Sequence, residues 1–179
     1  SMTLGSCSHR LSFEKQKSDG YRWDTDYDNT VLSYHFKTNM RNGEIGGTIG
    51  YLSKDFGANG FYAPAPSREK TKTLHSHIDF LHAVGPSIFI KTKCHYKYHH
   101  DHFNLDYLDN QGYQNDTQSA VASLESQLNI RFSEKKECAF GVEGATEQVQ
   151  NRIVGNHRLH RTGIWMEMLF PLAGSLLVQ

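Results

Sequence analysis

The sequence predicts an all-β fold, an antiparallel meander of about eight strands curved into a β-barrel or a barrel segment. Three observations carry this expectation. Side chains alternate apolar and polar with period two over long stretches, as in Ser87–Tyr98. Several of the alternating stretches reach the roughly 9–11 residues that a tilted strand needs to cross hydrocarbon. The segments between them are by turns tight and long, so every second connection points to the same end.

The strands follow in order. Residues 1–27 show no pattern that assigns them, and the barrel domain or segment occupies 28–179. A first strand, 30–38, carries Leu32, Tyr34 and Phe36 on one face, and an Asn-Gly turn leads to a second at 44–52. The third, 71–82, has Leu74, Ile78 and Phe80 in phase. The fourth, 87–98, is the clearest. Ile88, Ile90, Thr92, Cys94, Tyr96 and Tyr98 line one face, and Lys91, Lys93, His95 and Lys97 line the other, with Phe89 as the exception. In 118–132, Ala122, Leu124, Leu128, Ile130 and Phe132 oppose Ser123, Glu125, Gln127, Asn129 and Arg131. Strands at 136–149, 158–170 and 174–179 complete the set, with Ile164, Met166, Met168 and Phe170 sharing a face. No stretch holds a 3.6-residue period for long, so helix is a minor component.

The connections define two ends. Asn39–Gly43, Ala83–Pro86, Ser133–Lys135 and Leu172–Ala173 are short, whereas Ser53–Lys70, His99–Thr117 and Gln150–His157 are longer and polar. Each hairpin reverses the chain once, so the three longer loops are expected at one end. Outer-membrane barrels have short periplasmic turns and long external loops, and place Tyr at strand ends as an interface girdle. Tyr51, Tyr96 and Tyr98 are placed for that role.

Composition sets bounds on function. The chain has 179 residues, enough for one domain, with 19 Lys+Arg against 19 Asp+Glu. Zero net charge argues against nucleic acid as a partner, because phosphate binding calls for a basic surplus. No apolar run reaches the 18 residues of a membrane helix, which leaves membrane strands open. Ser1-Met2 reads as the remnant of a cleaved tag, with no signal peptide behind it. Cys7, Cys94 and Cys138 form no CxxC pair; Cys94 and Cys138 read as small apolar residues on strands.

No catalytic group is read from the sequence. There is no GxSxG nucleophile elbow. Glu143 and Glu147 share a strand face but stand roughly 13 Å apart along it, too far for a converging pair. The glycines from Gly46 to Gly60 are not followed by the Lys-Ser/Thr of a phosphate loop. His99, His100 and His102 with Asp101 are the nearest thing to a metal-ligand cluster. Parity divides them between two faces, Lys97 opposes a cation, and the plainer reading is a polar loop base. No metal and no cofactor is expected. Exposed aromatics on long loops suit ligand contact. Asn59, Phe61, Tyr62 and Tyr113 are therefore the candidate ligand-binding residues, with those histidines beside them.

Several runs resemble a family. Ile45–Tyr62, above all Asp55-Phe56-Gly57-Ala58-Asn59-Gly60-Phe61-Tyr62, is similar to a strand and loop of TonB-dependent outer-membrane receptors of the cobalamin or siderophore type. Tyr96–Phe103, Tyr113–Gln118, Phe140–Glu143 and Gly163–Glu167 follow in the family's order, so the similarity covers residues 28–170. The resemblance implies part of a receptor β-barrel in the cell outer membrane, holding perhaps a third of about 22 strands. It implies uptake of a small-molecule nutrient, a corrinoid, an iron chelate or a glycan, and contact with outer-membrane lipid. TonB would be a partner only in a full-length receptor. No enzyme activity is expected. The alternative is a soluble small β-barrel enclosing a compact hydrophobic ligand.

Overall fold

The computed structural model describes residues 2–109, 112–172 and 176–178. The strands are β1 Met2–Leu4, β2 Cys7–Ser18, β3 Tyr27–Met40, β4 Gly43–Gly57, β5 Ser67–Gly85, β6 Ile88–Leu105, β7 Gln114–Ser133, β8 Lys136–Asn151, β9 Gly155–Leu172 and β10 Leu176–Val178. They form one sheet in sequence order, each antiparallel to the next. Eight are long and two, at the edges, have three residues each. Among the described residues no pairing joins the β1 and β10 sides, so the meander is an open barrel segment.

The predicted strands at 30–38 through 158–170 are present and longer, because regular pairing runs well into the segments expected as loops. Two differences stand out. Residues 7–18, left unassigned by the sequence, form β2, paired from Cys7↔Thr38 to Ser18↔Tyr27. Only Leu11 and Phe13 alternate there before Lys15-Gln16-Lys17 blurs the pattern, and the pairing with β3 fixes the strand. Of the terminal strand expected at 174–179, residues 176–178 form β10, while 173–175 and 179 lie outside the described residues.

The connections separate as parity requires. Gly5-Ser6, Arg41-Asn42, Pro86-Ser87 and Glu134-Lys135 close tight turns at one end. Residues 19–26, 58–66, 106–109 with 112–113, and 152–154 emerge at the other.

Register shows how the faces are built, since paired residues lie on the same side of the sheet. One row joins Phe13, Leu32, Tyr51, Leu74 and Tyr98, and the next joins Leu11, Tyr34, Ile49, Ser76 and Tyr96. Nearer the tight turns the same face carries Phe36, Ile45, Phe80, Ile90, Leu128, Phe140 and Met166. Cys94 and Cys138 belong to it, paired with Leu124 and Ile130. Beyond the tyrosines the face turns polar, with Lys15, Thr30, Ser53, Lys72 and His100 in a single row.

The opposite face is polar for most of its length. It presents Lys37, His35, His75, His77, Lys91, Lys93, His95, Lys97, Glu125, Glu143 and Glu147. Charges pair across strands there: Lys93 with Glu125 at 3.6 Å, Arg131 with Glu137 at 3.7 Å, and Arg161 with Glu147. Glu143 and Glu147 lie on this polar face.

Each strand contacts only its sequence neighbours, so the described residues form a single layer with neither face covered. Apolar side chains are therefore exposed where a soluble domain would bury them: Leu124 is 53% exposed, Val142 53% and Ile164 88%. The buried hydrophobic residues are Ala58, Cys138 and Ala139 alone among those described.

Candidate functional site

The chemistry gathers at the long-loop end. Three loops are sewn together there by backbone hydrogen bonds. Ala58 N–H donates to the Ser67 carbonyl at 2.7 Å, Asn59 N–H to Asp24 at 3.1 Å, and Tyr107 N–H to Pro66 at 3.3 Å. Gly57 is required at the junction, because a Cβ there would lie 2.5 Å from the Asp24 carbonyl oxygen. Asp24 itself takes a left-handed backbone, φ 56°.

Arg68, at the start of β5, is the electrostatic centre of this seam. Its Nε donates to Asp55 at 2.6 Å and its Nη2 to Asp26 at 3.0 Å. Asp24, whose side chain is 1% exposed, lies 4.0 Å from the same guanidinium and accepts from the Tyr107 hydroxyl at 3.0 Å. Its other carboxylate oxygen is buried without a hydrogen-bond partner. The hydrogen bond from Arg68 holds the Asp26 carboxyl below its ordinary range. Burial first, then the bond to Asp24, pushes the Tyr107 phenol up.

Beside this seam lies an aromatic cluster. Phe61 and Tyr62 meet edge-on at 4.8 Å, Tyr62 meets Phe103 edge-on at 4.8 Å, and Phe103 tilts against Tyr113 at 6.5 Å. The Tyr62 hydroxyl donates to Glu69 at 2.7 Å, and that bond pushes the phenol up to about 12. Glu69 pairs with Phe103 across β5 and β6, and both belong to the polar face. Asp101, next along that face, has one buried oxygen without a partner. Desolvation raises its carboxyl, and the Glu69 charge raises it further.

The residues expected to bind ligand divide in three ways. Phe61, Tyr62 and Tyr113 come together, with Phe103 as the bridge between them. Asn59 has a different contact, its amide donating to the Trp23 carbonyl at 3.2 Å and pinning two loops. His99 lies on the polar face, against the Thr73 hydroxyl at 2.8 Å. His100 and His102 lie on the opposite face, both against Asp116, at 3.0 and 3.3 Å. Their bonds, that of His100 foremost, hold the Asp116 carboxyl down. No group of three or more His, Cys, Asp or Glu among the described residues is arranged to hold a metal ion. Glu69, Arg68, Asp24 and Tyr107 carry no motif in the sequence that marks them for this site. Arg68 and Asp26 are 42 residues apart, so no local pattern announces them.

No family model and no curated protein matches the chain. Among solved structures it is similar to the β domain of the Bordetella autotransporter BrkA, at 16% identity, over 96% of this chain and 73% of that one. The TM-score is 0.39, a level of likeness from which nothing is inferred. The resemblance to TonB-dependent receptors thus rests on its own sequence runs.

Proposed function

We propose that this chain is a segment of a transmembrane β-barrel in an outer membrane, and that its long-loop end receives a small-molecule nutrient. The observation that carries this reading is the uncovered apolar face and its height. From Ile88 to Tyr98 that face spans roughly 33 Å along the strand, or roughly 23 Å across a layer at the usual tilt of about 45°. The apolar band of membrane barrels is about 25 Å tall, edged by aromatics and followed by polar, external strand ends. Tyr51, Tyr96 and Tyr98 stand at the corresponding edge, and Lys15, Lys72 and His100 just beyond it.

The upper edge of the band also supports tilted strands. Tyr98 lies in one row with Ala120, Gln148 and Arg158, yet the first apolar residue of β9 on this face is Ile164, six residues further along. A flat layer crossing a tilted, staggered sheet gives such a slant. Lipid is then the partner of the apolar face.

The receptor-like runs and the aromatic mouth support uptake of a corrinoid, an iron chelate or a glycan, with TonB involved only in a full-length receptor. No catalytic role is proposed. The test is whether the purified chain needs detergent to stay monomeric and inserts into lipid vesicles. A detergent-free monomer with the isoleucine face closed inward would instead be a soluble barrel for a compact hydrophobic ligand. Phe61→Ala and Tyr62→Ala are expected to lower ligand binding with the strands intact, since loop residues carry little of the core. Unchanged binding by both variants would remove the ligand-contact role.

A further inference from the structure

The mouth has a chemical bias that narrows its ligand. Phe61 is 79% exposed, Tyr62 52% and Tyr113 51%, so the aromatic cluster presents open ring surface. Beneath it stand two carboxyl groups, Glu69 and Asp101, and one oxygen of Asp101 is buried without a partner. In the four paired rows of the polar face nearest the mouth, from Ser67↔Leu105 to Thr73↔His99, Glu14, Glu69 and Asp101 stand against Lys54 as the one lysine or arginine. His99, on the same face, is engaged with Thr73. The Tyr62 hydroxyl donates to Glu69, leaving the ring face as the surface offered to a ligand.

Aromatic faces with a carboxylate alongside attract cations, because the ring quadrupole and the carboxylate charge act in the same direction. An anionic group would be repelled by both. We propose that the mouth binds the positively charged end of an organic ligand, a quaternary or protonated amine, between the rings of Phe61, Tyr62 and Tyr113 and the carboxyl groups of Glu69 and Asp101. This rests on the receptor reading and specifies the ligand class that its loop end receives.

Charge can be separated from shape with choline and its neutral isostere 3,3-dimethyl-1-butanol. Binding of each to the full chain in detergent micelles would be followed by calorimetry and by aromatic NMR shifts. Choline is expected to bind at least about tenfold more tightly than the alcohol. E69Q is expected to remove most of that preference, and Tyr62→Phe, which keeps the ring, to retain at least half of the binding free energy. Equal binding of choline and the alcohol, tighter binding of neutral maltose than of choline, or no binding of any of them by a chain that inserts into vesicles overturns the proposal. Choline binding by a chain that fails to insert would overturn the receptor reading and leave this one standing.

Discussion

Tyr62 concentrates the physical chemistry of the mouth in one side chain. Its phenol is pushed up to about 12 by the hydrogen bond to Glu69, a bond that ionisation would destroy. Glu69→Gln removes the carboxylate charge, and the Tyr62 ionisation is expected to fall back towards the ordinary value near 10. A pH titration of ¹³Cζ-labelled tyrosine would show it; an unmoved resonance would mean that burial alone sets the value. Asp116 behaves in the opposite sense. Its carboxyl is held down by His100 and then by His102, so the folded state favours the ionised form. A depressed carboxyl contributes stability above its unfolded value, near 3.9. That contribution is lost as pH falls through the folded value. Amide exchange near His100 and Asp116 is therefore expected to speed up below about pH 4, and Asp116→Asn to abolish that pH dependence.

At the scale of elements, the long loops behave as one unit. Arg68 joins β5 to β4 through Asp55 and to the β2–β3 loop through Asp26, with buried Asp24 close behind. Arg68→Ala removes the guanidinium that lies 4.0 Å from buried Asp24. The expected cost is about 1–2 kcal/mol of local stability, below that of a fully buried pair because Arg68 is partly solvated. Limited proteolysis within 19–26 and 58–66 should then accelerate while the strands stay protected. If cleavage rates do not change, the backbone bonds of Ala58, Asn59 and Tyr107 hold the loops without the ion pairs. The strands themselves are set by alternation, but their ends are not. β5 was expected at 71–82 and spans Ser67–Gly85, because its outer residues pair with neighbours regardless of polarity.

For the whole molecule, the decisive property is one apolar face with no protein against it among the described residues. If the chain spans an outer membrane as proposed, a charge placed on that face at mid-height faces hydrocarbon. Leu124→Arg is expected to destabilise the membrane-inserted chain by about 2–4 kcal/mol. Gln127→Arg, on the polar face of the same strand, should be close to neutral. Urea unfolding from lipid vesicles would compare them, and equal effects would contradict the assignment of faces. In the proposed membrane setting the edges of the described sheet would be costly, because unpaired backbone groups in hydrocarbon lack hydrogen-bond partners.

The alternation of Ile88, Ile90, Tyr96 and Tyr98 with Lys91, Lys93 and Lys97 determined strand, face and period, because side-chain direction in a strand depends only on parity. The alternation of tight and long connections determined that the loops carrying Phe61, Tyr62 and Tyr113 share one end, while the histidines expected on a loop stand on β6, whose pairing continues to Leu105. Both are local properties of the chain. Parity also separated His99 from His100 and His102. What the sequence could not contain was register. Only pairing brought Glu69 opposite Phe103, placed β2 beside β3, and revealed the slant of the apolar band against the hydrogen-bonded rows. The meeting of Arg68 with Asp24 and Asp26, and of Asn59 with Trp23, likewise depends on loops far apart in the chain folding onto one another. Contacts of that kind arise from closure of the structure, and no spacing of residues along the chain encodes them.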